Sequence, residues 1–385
     1  MPDLNVYRVR VALVLLALAG SAVAQEATDD PLKAILDPEL KNTVSVILET
    51  YRQKRKYRDQ DFPMSREGFV QFRKEVTEQF VSTLGLHEWT VRNPVGKQSP
   101  LGTRFVDKRL RTIDLHGIRV EVHVIRVHDT GVTVPVVICL PPGNQRRAGV
   151  CVFSGHSQHG LRDLVLDLDS YQSGIAVRLA KAGFVTVAVE KIDTGYLSRD
   201  GLRGVDEPPL ATFGLYWGQL TRAHQLMACL AASEILAIHP RVDEERIGAT
   251  GVSLGGWLSV QTAMLSDRIK AVADFGVKTV TVPPDMGADT FNGMGDLCHI
   301  LPGMLSLCDR NLMSLAYCPR PMLAGHGRRH ATSHAQATAH YRSLYEKQYA
   351  QLGSADNYEY HVHDGGDTMP SDIAINYFQR RLGQQ

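Results

Sequence analysis

Gly251-Val252-Ser253-Leu254-Gly255 lies between the apolar run "RIGATGV" and a second apolar run, "GGWLSVQTAML". A serine hydroxyl at such a turn can attack an acyl carbon if a neighbouring base accepts its proton. The reversal is so sharp that side chains two positions either side would collide, hence the glycines at 251 and 255. The strain lifts Oγ clear of the sheet, and the next helix points its N-terminal dipole at the site. The string alone is weak evidence, because a serine that merely caps a helix reads the same way. A strand before it and a helix after it favour the nucleophile. A second stretch, His363-Asp364-Gly365-Gly366-Asp367, follows the alternating run "YEYHVH" and supplies imidazole and carboxylate.

These groups need a scaffold. From Arg147 onward the chain repeats strand, turn and helix. "AGVCVFSGH" is a buried strand, "GIAVRLAKAG" a helix ended by Gly183, and "FVTVAVE" a strand. A long helix, "WGQLTRAHQLMACLAASEILAIHP", is closed by Pro240. After the elbow come the strand "IKAVADFGV", the strand "RPMLAGHG", a helix through "QATAHYRSLYEKQYAQLG", the strand "YEYHVH" and the helix "SDIAINYFQRRLG". Continuous apolar strands alternating with helices predict an α/β fold with a mostly parallel sheet covered on both faces. Ahead of it, "VEVHVIRVH" and "VPVVICLPP" alternate and read as antiparallel strands. Residues 25–105 read as a helical N-terminal extension, in which Ser65 opens and Gly85 closes one clear helix. Residues 106–385 read as the main domain, interrupted by an insertion at 278–318 rich in Gly, Pro, Met and Asp. So long an interruption is usually functional.

Composition excludes some roles. The chain has 385 residues with a formal net charge of +1, so nothing in its balance suggests nucleic acid or an anionic membrane surface. Residues 1–24 combine two arginines, an apolar run and a small-x-small site. They read as a secretory signal peptide cleaved after Ala24, giving a secreted or periplasmic protein with no membrane segment after cleavage. Export permits disulfides. Cys139, Cys151 and Cys229 sit in apolar runs as buried thiols, whereas the segment holding Cys298, Cys308 and Cys318 has room for one bridge of unspecified pairing. No histidine pair shows a zinc-ligand spacing beside a second cluster, so no metal is expected.

From "AGVCVFSGH" to "YEYHVHDGGD" the order of elements resembles the α/β-hydrolase fold. The nearest likeness is to secreted bacterial acetyl xylan esterases and dienelactone-hydrolase-like proteins. "RVDEERIGATGVSLGGWLSVQTAMLSDRIKAVADFG" is similar to their elbow region almost throughout, and "PRPMLAGHG" to the strand that follows. The resemblance covers roughly residues 110–385. It implies a serine carboxylic ester hydrolase with no metal or cofactor, acting on a small-molecule or carbohydrate ester, acetylated carbohydrate in particular. Its oxyanion hole would use the backbone N–H of Leu254 and that of His156, where this chain reads Ser154-Gly155-His156.

One departure stands out. Where that family carries its aspartate, after the strand ending His-Gly and two intervening residues, this chain has His330. Where the family ends its last strand in Gly-Gly-His, this chain has Gly365-Gly366-Asp367. Acid and base have exchanged positions, which gives Ser253–His330–Asp367 as the expected relay. Reach decides whether it works, because proton transfer needs about 2.6–3.2 Å between heavy atoms. Rival bases are His363, with Asp364 or Asp367, and His334. The other alternative is a catalytically silent hydrolase-fold protein kept for binding. His326 and His361 are expected in or beside strands and His340 on a helix face. The insertion reads as a lid, with Asp285, Asp289 and Asp296 as alternative carboxylates. Tyr196, Tyr216 and Trp217 are candidate pocket walls.

Overall fold

Alternation and apolar runs set the sheet. In the computed structural model the residues described are 53–192, 194–198, 207–276, 297–329 and 335–383. Nine strands form one sheet: β1 (Phe105–Leu115), β2 (Ile118–Val127), β3 (Thr133–Leu140), β4 (Arg147–Phe153), β5 (Val185–Val189), β6 (Val242–Val252), β7 (Ile269–Phe275), β8 (Met322–Gly327) and β9 (Tyr358–His363). Their spatial order is β1-β2-β3-β5-β4-β6-β7-β8-β9. The first three strands pair antiparallel, as does β3 with β5; every later pairing is parallel. This is the mostly parallel sheet that the strand and helix pattern predicts. β4, β5 and the second half of β6 are buried almost throughout, as strands covered on both faces must be.

Helices cover both faces. One apolar cluster joins α1 (Arg66–Leu84), α3 (Thr221–Ile238) and the elbow helix α4 (Leu254–Leu265) to one side of the sheet. The other cluster holds α2 (Ile175–Lys181) and, at the C-terminus, α7 (Ser371–Leu382). α5 (Arg310–Leu315) and α6 (Ala335–Gln351) add Leu312, Met313, Tyr345 and Tyr349 to the first cluster. α1 shows how local chemistry sets an element: the Ser65 hydroxyl accepts from the Gly68 N–H, and Gly85 closes the helix at φ 65°.

Several expectations change. β1 begins at Phe105, before any visible alternation, because a charged edge strand buries almost nothing. The long helix expected from Trp217 begins at Thr221, and a separate helix, Glu207–Tyr216, precedes it. No disulfide joins Cys298, Cys308 or Cys318; all six cysteines are buried free thiols. The described part of the insertion is not a loose cover: Cys298, Met304, Cys308 and Leu312 are buried in the same cluster as the elbow helix. The proposed signal segment, Asp285, Asp289 and Asp296 lie outside the described residues. Among the described residues no helix is long and apolar enough to cross a membrane.

Candidate active site

The elbow is held by backbone. Ser253 adopts φ 57° and ψ −126°, a conformation that L-residues rarely take. It ends β6 and precedes α4, so the Leu254 N–H is the first of the helix and has no carbonyl partner within it. The two glycines permit the close approach. A Cβ on Gly251 would lie 2.4 Å from the Gly255 carbonyl carbon, and one on Gly255 would lie 2.1 Å from the Phe153 oxygen. β4 thus presses directly on the turn, and the chain leaving β4 passes over the serine: a Cβ on Gly155 would be 3.2 Å from Ser253 Cβ.

That departing chain is fastened by buried polar groups. The Gly155 N–H donates to Gln172 Oε1 at 2.9 Å, and Gln172 is fully buried. The Ser157 hydroxyl donates to Asp163 and accepts from the His159 and Gly160 amides at 3.0 Å. Glu190, just after β5, accepts from the amides of Leu161 and Tyr196 at 3.1 and 3.2 Å and from the Thr194 hydroxyl at 3.2 Å. Burial pushes its carboxyl up to about 7, against an ordinary 4.5, although those hydrogen bonds pull the other way.

The two loops meant to carry acid and base start side by side. The Arg328 N–H donates to the His363 carbonyl at 2.8 Å and the Arg329 N–H to the Gly365 carbonyl at 2.9 Å. A Cβ on Gly327 would lie 1.9 Å from the Gly366 oxygen, so only glycine fits there. In sequence His330 comes directly after Arg329, and Asp367 is the second residue after Gly365. His330 and His334 themselves lie outside the described residues. Asp367 is half-buried, and its charge, with that of Asp163, adds to burial in raising the Tyr171 phenol well above its ordinary value. Tyr171 closes the circle: its hydroxyl would be 2.5 Å from a Gly155 Cβ, and its carbonyl accepts from the Met369 N–H at 2.8 Å.

The remaining histidines fall as follows. His363 Nδ1 accepts from the Gly365 N–H at 3.1 Å, so the neutral ring carries its proton on Nε2. An imidazole in that state has no nitrogen lone pair left for a serine proton unless the turn opens. His326 sits in β8, with Nδ1 2.7 Å from the Tyr360 hydroxyl; His361 lies in β9; His340, on α6, meets Asp59 at 2.7 Å. None of these three approaches the elbow through a described contact.

Sequence reading overlooked a cluster beside the elbow. Trp257, one turn into α4, stacks with His299 at 5.3 Å between centroids, and the Arg310 guanidinium lies 3.3 Å from the Trp257 ring centre. Arg222, buried in α3, donates through Nε to the Cys298 carbonyl at 3.2 Å. His156 Nε2 is 3.3 Å from Cys298 Sγ. An arginine inside an otherwise apolar helical run was the readable signal. The suggested pocket walls Tyr216 and Trp217 are instead 88% and 71% exposed.

Residues 182–276 match the family model for acetyl xylan esterase, the stretch from β5 through the elbow to the end of β7. Among solved structures, the chain is similar to a Bacteroides fragilis protein provisionally assigned as an acetyl xylan esterase, with TM-score 0.69 and 14% identity over 89% of this chain and 95% of that one. It is also similar to a methylesterase, with TM-score 0.59 and 19% identity over 82% of this chain and 64% of that one. A glucuronoyl esterase from Solibacter usitatus gives TM-score 0.55 and 12% identity over 83% and 94%. No curated protein matches. At these identities the structures establish the fold. The family match supports a carboxylic ester hydrolase.

Proposed function

We propose that this chain is an exported serine carboxylic ester hydrolase acting on acetylated carbohydrate. Ser253 Oγ attacks the ester carbonyl carbon and its proton passes to the imidazole of His330, which Asp367 orients. The Leu254 and His156 amides hold the negative oxygen of the tetrahedral intermediate. The alcohol leaves with the proton, and water, activated by the same imidazole, releases the acid from the acyl-enzyme. The observation that carries this reading is Ser253, strained at φ 57° between β6 and α4 with the Gly155 chain lying across it. The adjoining starts of the two loops, zipped at Arg329 and Gly365, favour the exchanged relay, because residues launched from adjacent points can trade roles. The carbohydrate acetate comes from the family match and rests on analogy.

A chromogenic acetate ester tests it. Turnover abolished by Ser253→Ala supports the hydrolase. Turnover absent in the unaltered protein supports the silent binding protein instead, and equal turnover in the variant rules out Ser253 as the nucleophile. Export is tested by the N-terminus of protein recovered from outside the cytoplasm, expected at Gln25.

A further inference from the structure

Three soft or borderline donors meet beside the elbow, from parts of the chain 142 residues apart. His156 belongs to the chain leaving β4; Cys298 and His299 sit on a tight turn within the insertion. Their ligand atoms all lie within 4.8 Å of one another, and His156 Nε2 is already 3.3 Å from Cys298 Sγ. A tetrahedral zinc site, with bonds of about 2.3 Å to sulfur and 2.0–2.1 Å to nitrogen, separates its sulfur and nitrogen ligands by about 3.5 Å. Side-chain movement of roughly an ångström at most therefore closes the set around one ion.

We propose that His156, Cys298 and His299 form a zinc site that ties the 297–299 turn to the chain crossing Ser253. The donor set selects the metal: one thiolate with two imidazoles suits zinc, whereas calcium and magnesium want oxygen. Three protein ligands leave a fourth position for water. The surroundings orient the ligands. Trp257 stacks on the His299 ring, and Arg222 anchors the Cys298 carbonyl. Arg222 Nη2 is also 3.9 Å from Cys298 Sγ, where its charge favours the thiolate that binding requires. The same charge opposes the cation, so this site is weaker than a Cys₂His₂ site of zinc-finger type. Sequence spacing hid it, because the signature needs a local pair of ligands next to a second pair. The inference stands apart from the esterase reading, since a metal can bind whether or not Ser253 is a nucleophile.

The test uses untagged mature protein, stripped with chelator and titrated with cobalt(II) and then zinc(II). One equivalent of cobalt should bind with a near-ultraviolet thiolate charge-transfer band, which zinc then bleaches. Cys298→Ser should remove the band and lower affinity about 10- to 100-fold or more, as loss of a ligand or its support does. Cys308→Ser, a buried thiol outside the cluster, should leave both unchanged. Near-ultraviolet circular dichroism checks folding; if Cys298→Ser fails that check, His299→Gln carries the test and should weaken binding while keeping the band. No saturable binding of either metal at sub-millimolar concentration overturns the site, as does unaltered binding in the Cys298 and His299 variants.

Discussion

The elbow and the pair of loops at the ends of β8 and β9, which the proposed relay joins, are held by opposite means. At the elbow, backbone meets backbone: Gly251, Gly255 and Phe153 approach so closely that no side chain fits, and Ser253 is held where it stands. At the loops, the Arg328 and Arg329 amides donate to the His363 and Gly365 carbonyls, and the proposed relay beyond them depends on which side chains are carried. A nucleophile fixed by main chain cannot be moved by one substitution, whereas imidazole and carboxylate on adjoining loops can change places if the reach is kept. On the proposed relay, this difference is what lets the elbow sequence stay fixed while its acid and base trade places.

The largest effect should come from the elbow. Ser253→Ala is expected to lower kcat/KM for an acetate ester by about 10⁴-fold or more, with little change in stability. Next, His330→Ala and Asp367→Asn should each cost about 10³- to 10⁴-fold, while His363→Ala stays within about tenfold because its Nδ1 is engaged by Gly365. A large loss in the His363 variant instead would make that ring the base. The reciprocal double change, His330→Asp with Asp367→His, should retain activity.

Stability sharpens the contrast. Gly255→Ala places a Cβ 2.1 Å from the Phe153 oxygen, and urea unfolding should show a loss of about 3 kcal/mol or more. Ser253→Gly should gain about 1 kcal/mol by releasing the strained φ, at the cost of all turnover. The smallest effect concerns pH. Glu190 titrates near 7 when folded, against 4.5, so the folded protein holds the extra proton between those values. Its contribution is complete below pH 4.5 and is lost as pH rises through 7, by up to about 3 kcal/mol. Unfolding free energies of Glu190→Gln at pH 5 and pH 8 should lack that part of the slope.

Legibility followed the same division. The elbow was readable because its requirements are local: two glycines, a strand before and a helix after. The parallel strands were readable because burial on both faces leaves long apolar runs. β1 was not, because an edge strand rich in Lys and Arg carries no apolar period. The cluster of Trp257, His299, Cys298 and Arg222 escaped because it is assembled from distant segments, and only Arg222 was out of place in its own surroundings. The expected bridge among Cys298, Cys308 and Cys318 is not made, and all three are buried free thiols, because shared sequence neighbourhood says nothing of whether two sulfurs meet. Glu190 gave no sign either, since a carboxylate at a strand end ordinarily faces water.

One measurement bears most directly on the site: covalent labelling by an activated phosphonate ester, read by intact mass and peptide mapping. The account predicts a single adduct on Ser253 that forms rapidly in the unaltered protein and in His363→Ala, and far more slowly in His330→Ala. No adduct at Ser253, or labelling as fast without His330 as with it, would contradict it.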